Sequence, residues 1–172
     1  KWAGFLPNGS PCACDTETWK TSLEGRCARA RKRGYEEFMV GVVLVTHPHL
    51  GDEFVRSAEL ICGKLPGLAT VSIDTHKGVE ELRREIAEAI RSVDFGDGVL
   101  ILTDMFGGTP SNMSLAFLQE GRVEVLSGLN LPMLIKISNC REGQSLKELA
   151  KTIKEAGQRN INLASEILQR KP

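Results

Sequence analysis

The sequence predicts an α/β protein, a single domain built on an open parallel sheet of about four strands with helices on both faces. From residue 39 onward, short apolar segments rich in valine alternate with longer amphipathic segments. The apolar segments are nearly continuous in hydrophobicity, as strands covered on both faces of a sheet must be. The links between segments are short, which favours repeated strand–helix–strand units with parallel strands.

The predicted strands are runs of Val, Leu and Ile that end at polar or turn-forming residues. They span residues 39–46, 68–74, 98–104 and 123–127. Residues 131–138 are also apolar but show neither a strand nor a helix period, so both structures remain open for this segment.

The predicted helices repeat apolar residues at helical spacing. They span residues 52–64, 79–93 and 110–119, and a long C-terminal stretch over residues 145–168. Ser145 and Glu148 have the spacing of a capping box at the start of that stretch. Thr109 is predicted to cap the third helix, and Pro110 suits its first position.

The first 38 residues lack the periodicity of the remainder of the chain. They contain both tryptophans and a turn-forming cluster over residues 6–11. We therefore expect residues 1–38 to be an N-terminal extension that is either disordered or not native, and residues 39–172 to form the folded domain. Met39 stands directly before the first strand and would be the natural start. We assign the extension no chemistry.

Composition excludes several classes of partner. The chain has 22 basic and 22 acidic residues among 172, a net charge of +0, so no overall positive field attracts nucleic acid. No apolar run reaches the roughly 18 residues needed to cross a bilayer, which predicts no insertion into a membrane. The five cysteines form no disulfide framework and no secretory segment precedes the body, so we expect a cytoplasmic protein.

Two loops follow the first and third predicted strands, where open parallel sheets bind their ligands. His47 ends the first strand and Asp104 ends the third. If these strands are neighbours, the carboxylate of Asp104 can hold one ring N–H of His47 and leave the other nitrogen free. That nitrogen could then act as a nucleophile toward phosphorus. The pair predicts phosphoryl chemistry at this edge of the sheet.

A glycine-containing loop follows Asp104. Gly107 and Gly108 allow the backbone to approach a ligand, and the amides of this loop, with the hydroxyl of Thr109, could bind a phosphoryl group. The chain has neither the P-loop pattern nor the dinucleotide-binding glycine pattern, so we expect no nucleotide and no cofactor.

Three blocks carry a family resemblance: VVLVTH at residues 42–47, LILTDMFGGTPSN at residues 100–112 and VLSGLNLPML at residues 125–134. Over residues 39–168 the chain resembles the mannose-family IIA components of the bacterial phosphoenolpyruvate-dependent sugar phosphotransferase system. Family members commonly have Gly after the active histidine, whereas here Pro48 and His49 follow it.

The resemblance implies a cytoplasmic phosphocarrier in which His47 takes a phosphoryl group from phospho-HPr and passes it to a IIB component. Asp104 would orient His47, and Gly108 and Thr109 would bind the phosphoryl group. The resemblance also implies a homodimer, for which the C-terminal segment is a candidate dimerisation element. The identity of the sugar does not follow, because the membrane components would select it.

Other functions stay open at this point. One is a regulatory phosphohistidine protein or a subunit like the phosphotransfer subunit of dihydroxyacetone kinase; another is a plain interaction module. A zinc site is a further alternative, although we predict no metal. It would use His47, His49, Asp104 and His76. Met105 and Phe106 either pack under the glycine loop or form an exposed apolar contact for HPr or IIB.

Overall fold

The computed structural model describes residues 39–74 and 76–169, so the predicted extension over residues 1–38 lies outside the described residues. The described part contains the strands β1 (Gly41–Thr46), β2 (Leu68–Ser72), β3 (Val99–Thr103) and β4 (Val123–Ser127). Its helices are α1 (Leu50–Cys62), α2 (Val79–Val93), α3 (Thr109–Leu115), α4 (Leu131–Cys140), α5 (Leu146–Arg159) and α6 (Ala164–Gln169). Among these helices, none is both long and apolar enough to cross a bilayer.

Within the described residues the sheet has four strands in the order β2-β1-β3-β4, and every neighbouring pair is parallel. The two central strands, β1 and β3, are buried along their whole length. Their unbroken runs of Val, Leu and Ile are the composition that burial on both faces requires. The predicted fold class, an α/β domain on an open parallel sheet, is confirmed.

Alternate residues of the central strands serve two separate cores. Val42 and Leu44 of β1 point into a core closed by α1, α4 and α5. Val43 and Val45 point to the opposite face, which α2 and α3 cover. Because successive side chains of a strand alternate between faces, one valine-rich strand can supply both cores. The prediction of helices on both faces is confirmed.

The ambiguous apolar segment is a helix, α4. The side chain of Asn130 accepts a hydrogen bond from the Met133 N–H at 3.3 Å, which caps the helix at its N-terminus. Pro132 stands in the first turn, where a missing N–H costs nothing. Leu134 and Ile137 then pack into the core shared with α1 and α5. An Asn-x-Pro start is the local signal that decides between strand and helix here.

The C-terminal stretch is two helices rather than one, which corrects the single long helix predicted over residues 145–168. α5 ends at Arg159, and α6 starts only at Ala164. The side chains of Asn160 and Asn162 donate to the carbonyl oxygens of Ala156 and Arg159. Such bonds satisfy the last helical carbonyls and compete with continuation of the helix. The capping box of Ser145 and Glu148 is present as predicted.

The third helix is shorter than predicted and differs at its start. Gly108, in an extended conformation, is the N-cap, and Thr109 is the first helical residue rather than the cap. Pro110 consequently takes the second position. The helix ends at Leu115 because the following turns tighten, with i to i+3 hydrogen bonds that reach Leu118.

The strand order creates a crevice at the carboxyl end of the sheet. From β1 the chain crosses to β2 on one side, and it then returns to place β3 on the other side of β1. The loops that leave β1 and β3 therefore diverge from two adjacent strands. Ligands bind at such a switch point in open parallel sheets. The two loops singled out from the sequence, after β1 and after β3, are the ones that border it.

Candidate functional site

His47 and Asp104 meet at this switch point, although 57 residues separate them. The register of β1 against β3 pairs Val45 with Thr103, which brings the residues that follow each strand side by side. The Nδ1 atom of His47 lies 2.7 Å from Oδ2 of Asp104. The backbone N–H of His47 donates to the same oxygen at 2.9 Å. One carboxylate oxygen thus holds both the ring and the backbone of the histidine.

The carboxyl of Asp104 is stabilised in its ionised form. Burial is the largest single influence and raises its pKa, but hydrogen bonds together outweigh it and leave the pKa below the ordinary value of 3.8. These bonds come from the His47 N–H, the His47 ring and the Met105 N–H, which reaches Oδ1 at 2.8 Å. An ionised carboxylate only accepts hydrogen bonds, so Nδ1 of His47 must carry the proton.

The remaining ring nitrogen of His47, Nε2, is the free one. In the neutral imidazole, a proton on Nδ1 leaves a lone pair on Nε2. The His47 side chain is 45% exposed, whereas that of Asp104 is 9% exposed. Solvent therefore reaches the imidazole of His47, while the carboxylate of Asp104 that contacts it stays shielded.

The glycine loop lies against the edge of this imidazole. A Cβ atom added to Gly108 would lie 3.3 Å from Cε1 of His47 and 3.2 Å from Cγ of Met105. Cε1 is the ring carbon between Nδ1 and Nε2, so the loop backbone at Gly108 runs close to the edge of the ring. Gly107 has a φ of 81°, which L side chains rarely adopt. Glycine is thus favoured at both positions, at Gly108 by close approach and at Gly107 by backbone conformation.

Asn112 fixes the orientation of the loop peptides. Its side-chain Nδ2 donates to the carbonyl oxygen of Gly107 at 3.3 Å, and its backbone N–H donates to that of Gly108 at 2.9 Å. In a trans peptide the N–H points opposite to the C=O. The amides of Gly108 and Thr109 therefore point away from Asn112. No role for Asn112 follows from the sequence analysis; the available signal is an Asn two residues after the proline of Gly-Thr-Pro.

The side chains of Thr109, Met105 and Phe106 are exposed around the loop. Met105 is 54% exposed and Phe106 is 77% exposed. Of the two arrangements considered for this apolar pair, packing under the loop is excluded for Phe106. Phe106 is therefore an exposed aromatic side chain in the loop that follows Asp104.

The other two histidines do not join the site. His49 is exposed and has a positive φ of 63°, which is uncommon for a residue other than glycine. Its backbone N–H lies 3.4 Å from the hydroxyl of Ser72, on the side of β2. His76 is exposed in the turn after β2. Across residues 39–74 and 76–169, no three His, Cys, Asp or Glu side chains cluster closely enough to hold a metal ion. The zinc alternative therefore has no ligand set in that part of the chain.

Comparison with known proteins identifies the family of this chain. The family model EIIA-man, described as the PTS system fructose IIA component, matches residues 41–154. This chain belongs to that family. The match begins at β1 and includes both loops of the site. The resemblance to the mannose-family IIA components is confirmed, and the protein is an EIIA component of a sugar phosphotransferase system.

Relatives and solved structures cover most of this EIIA protein. The fructose-specific EIIA component of Bacillus subtilis is 29% identical over 133 residues, which are 77% of this chain and 91% of the relative. The sorbose-specific EIIA component of Lacticaseibacillus casei is 30% identical over 109 residues, 63% of this chain and 78% of the relative. The crystal structure of an EIIA component from Streptococcus agalactiae superposes with a TM-score of 0.67 at 26% identity, covering 74% of this chain and 99% of that one.

Proposed function

We propose that this EIIA protein is a phosphocarrier that accepts a phosphoryl group from phospho-HPr on His47 and passes it to a IIB component. The observation that carries the proposal is the pairing of His47 Nδ1 with Asp104 Oδ2 at 2.7 Å, which leaves Nε2 as the free nitrogen. Asp104 acts by orienting His47. No further cofactor is needed, because the imidazole itself is the phosphoryl acceptor.

The proposed transfer is a substitution at phosphorus. The lone pair of His47 Nε2 attacks, the Nε2–P bond forms, and the bond from phosphorus to HPr breaks with its electron pair returning to HPr. The proton on Nδ1 stays in its hydrogen bond to Asp104, which offsets the positive charge that develops on the ring. Transfer to IIB repeats the exchange with the phosphohistidine as donor.

Gly107, Gly108 and Thr109 are proposed to bind the phosphoryl group. Two features support this role: the loop runs beside Cε1 of His47, and the Gly108 and Thr109 amides point away from Asn112. Amides fixed before the ligand arrives can stabilise its negative oxygens without reorganisation. The exposed hydroxyl of Thr109 would add one more donor.

The partners follow from the same proposal. The exposed side chains of Met105 and Phe106 lie in the loop that follows Asp104, and we assign this apolar surface to contact with HPr and IIB. A homodimer is proposed as well, with residues 39–172 as the phosphocarrier domain and its C-terminal segment in the interface. The proposed location is the cytoplasm, with neither nucleic acid nor membrane insertion involved. The sugars in the relatives' names differ between fructose and sorbose, so no sugar is assigned.

Two histidine substitutions test the proposal. The protein is incubated with phosphoenolpyruvate, enzyme I and HPr, and phosphoryl incorporation is followed by intact mass. We expect His47→Gln to remove incorporation completely and to keep the native melting temperature. His49→Gln, two residues away and outside the Asp104 contact, is the matched control and should still be phosphorylated.

The opposite pattern would overturn the assignment. If the His49 variant lost the label and the His47 variant kept it, the reactive residue would be His49. If the wild type, correctly folded and with active HPr, took up no phosphoryl group, the phosphocarrier function itself would be wrong.

A further inference from the structure

Thr46 is the last residue of β1, is completely buried and directly precedes His47. Its hydroxyl makes two hydrogen bonds in the turn that carries the histidine. It donates to the carbonyl oxygen of His47 at 2.9 Å and accepts from the N–H of Gly51 at 2.9 Å. The hydroxyl thus joins the start of the turn to the first turn of α1.

The backbone of His47 is consequently held on both sides. Its N–H donates to Asp104. Its C=O accepts from the Thr46 hydroxyl and, at 3.3 Å, from the N–H of Leu50. Pro48 further restricts the backbone of His47, because a residue before proline avoids the helical region. With both peptide groups fixed, only the two side-chain torsions remain to place the imidazole.

Gly51 brings the start of α1 close to this hydroxyl. A Cβ atom added to Gly51 would lie 3.1 Å from Oγ1 of Thr46, a contact tighter than side chains normally make. The hydrogen bond from Gly51 to Thr46 is buried. A methyl group in place of the hydroxyl would occupy the same space but would leave the buried Gly51 N–H without an acceptor, which is unfavourable.

We propose that Thr46 is a positioning residue for phosphoryl transfer, whose hydroxyl fixes the turn so that both the ring and the backbone N–H of His47 reach one oxygen of Asp104. This inference rests on the proposed phosphocarrier function. Thr46 does not touch the phosphoryl group; it acts through the His47 carbonyl. Loss of the hydroxyl removes its hydrogen bond to the His47 carbonyl oxygen and weakens the preference for the Nδ1–H form of the ring.

Three variants test the role of the hydroxyl. Thr46→Val keeps the side-chain shape and removes both hydrogen bonds, whereas Thr46→Ser keeps the hydroxyl. The matched control is Thr70→Val, the same substitution on the adjacent strand, where the hydroxyl donates to the side chain of Asp52 at the start of α1 and makes no bond to the His47 carbonyl. If the Thr46→Val protein does not fold, Thr46→Ala is used instead, because alanine puts no methyl group at the position of Oγ1.

Two readouts are measured on each variant. The first is the single-turnover rate of transfer from phospho-HPr; Thr46→Val should lower it roughly 10- to 100-fold, as a small displacement of a reacting group does. The second is the ¹⁵N spectrum of the His47 ring without phosphorylation, which reports the proportion of Nδ1–H tautomer. Thr46→Val should lower that proportion, and the Thr46→Ser and Thr70→Val variants should match the wild type in both readouts.

The two readouts separate the failure of this inference from the failure of the proposed function. If the wild type is not phosphorylated but the tautomer proportion falls only in Thr46→Val, positioning is upheld and the phosphocarrier function is not. If the wild type is phosphorylated and Thr46→Val matches it in rate and tautomer, Thr46 has no positioning role. Equal losses in Thr46→Val and Thr70→Val would also overturn the inference, because they would indicate general destabilisation.

Discussion

At the scale of single residues, the proposed chemistry depends on two hydrogen bonds that His47 makes to one oxygen atom of Asp104. Oδ2 of Asp104 accepts from the ring and from the backbone of His47, so the side chain that sets the tautomer also sets the position of the histidine. Arrangements of this kind orient an imidazole without taking its proton. In the proposed transfer, the carboxylate therefore contributes through geometry and charge.

Asp104→Asn should slow phosphoryl transfer on the order of 100-fold while the fold is preserved. The reason is that the amide can turn its NH2 group, a donor, toward Nδ1 and so favour the wrong tautomer of His47. Rapid-quench measurement of the transfer rate checks this. A rate equal to that of the wild type would remove Asp104 from the mechanism.

The same variant has a predicted pH dependence. The folded-state pKa of Asp104 lies below 3.8, so its ionised form stabilises the native state above that value, and this contribution is lost as the pH falls through the folded-state pKa. Urea unfolding from neutral pH to below 3.8 should show a steeper loss of unfolding free energy in the wild type than in Asp104→Asn. Parallel curves would contradict the lowered pKa.

Some of these side-chain contacts could be predicted from the sequence, and others could not. His47 and Asp104 were predictable because each directly follows a buried strand, and the ends of adjacent parallel strands converge. The hydrogen bonds of Thr46 and Asn112 were not, because they depend on the path of a turn that no periodicity encodes. A threonine at a strand end before a tight turn is a weak signal on its own, since such hydroxyls commonly bond local backbone.

At the scale of elements, the glycine loop contains a position, Gly107, whose φ of 81° L side chains rarely adopt. Gly107→Ala forces a side chain into the left-handed region at a φ of 81°, at a cost of about 1–2 kcal/mol in unfolding free energy. It should also lower the transfer rate, because the loop can relieve the strain only by moving the peptides beside His47. Calorimetry and the transfer assay measure the two effects.

Gly96→Ala is the control for the glycine prediction. Gly96 has a φ of 111° and, like Gly107, open space where a Cβ would stand, but it lies in the loop before β3, at the opposite end of that strand. It should lose comparable stability and keep the wild-type transfer rate. A loss of rate in both variants, or in neither, would show that the conformation of Gly107 is not specific to function.

The strands and the amphipathic helices were predictable as elements because burial imposes their hydrophobic period. The structure departs from the sequence prediction where local capping decides the outcome. Asn130 starts a helix in a segment that periodicity left ambiguous, and Asn160 ends one that periodicity would continue. Gly108 rather than Thr109 caps α3, because its extended backbone follows the path of the loop.

At the scale of the whole molecule, the two ends of the parallel strands differ in what they carry. The carboxyl end carries the site. At the other end, the buried Arg141 donates to the carbonyl oxygens of Pro66 and Gly67 and contacts the sulfur of Met39. These bonds join the start of β1, the link before β2 and the end of α4. These contacts lie at the end of the sheet opposite the His47–Asp104 pair.

The exposed apolar side chains of the C-terminal segment lead to a prediction about assembly. Ile167 is 56% exposed and Leu168 is 75% exposed in α6. If this segment forms the proposed dimer interface, the double variant Ile167→Glu, Leu168→Glu should be monomeric in sedimentation equilibrium while the wild type is dimeric. Burying two carboxylates in an apolar interface is strongly unfavourable.

Leu60→Glu provides the control for assembly. Leu60 is 89% exposed on α1, outside the C-terminal segment, and its substitution should leave the dimer intact. A monomeric wild type would remove the homodimer from the account. A dimer that persists in the α6 variant would move the interface elsewhere.

The most direct test of the central claim is to identify the phosphorylated atom. The protein, with ¹⁵N-labelled histidine, is phosphorylated through enzyme I and HPr, and the ³¹P–¹⁵N coupling is measured under conditions that preserve phosphohistidine. The account predicts a single phosphoryl group on Nε2 of His47, because Asp104 occupies Nδ1. A phosphoryl group on Nδ1, on His49 or on no histidine would contradict it.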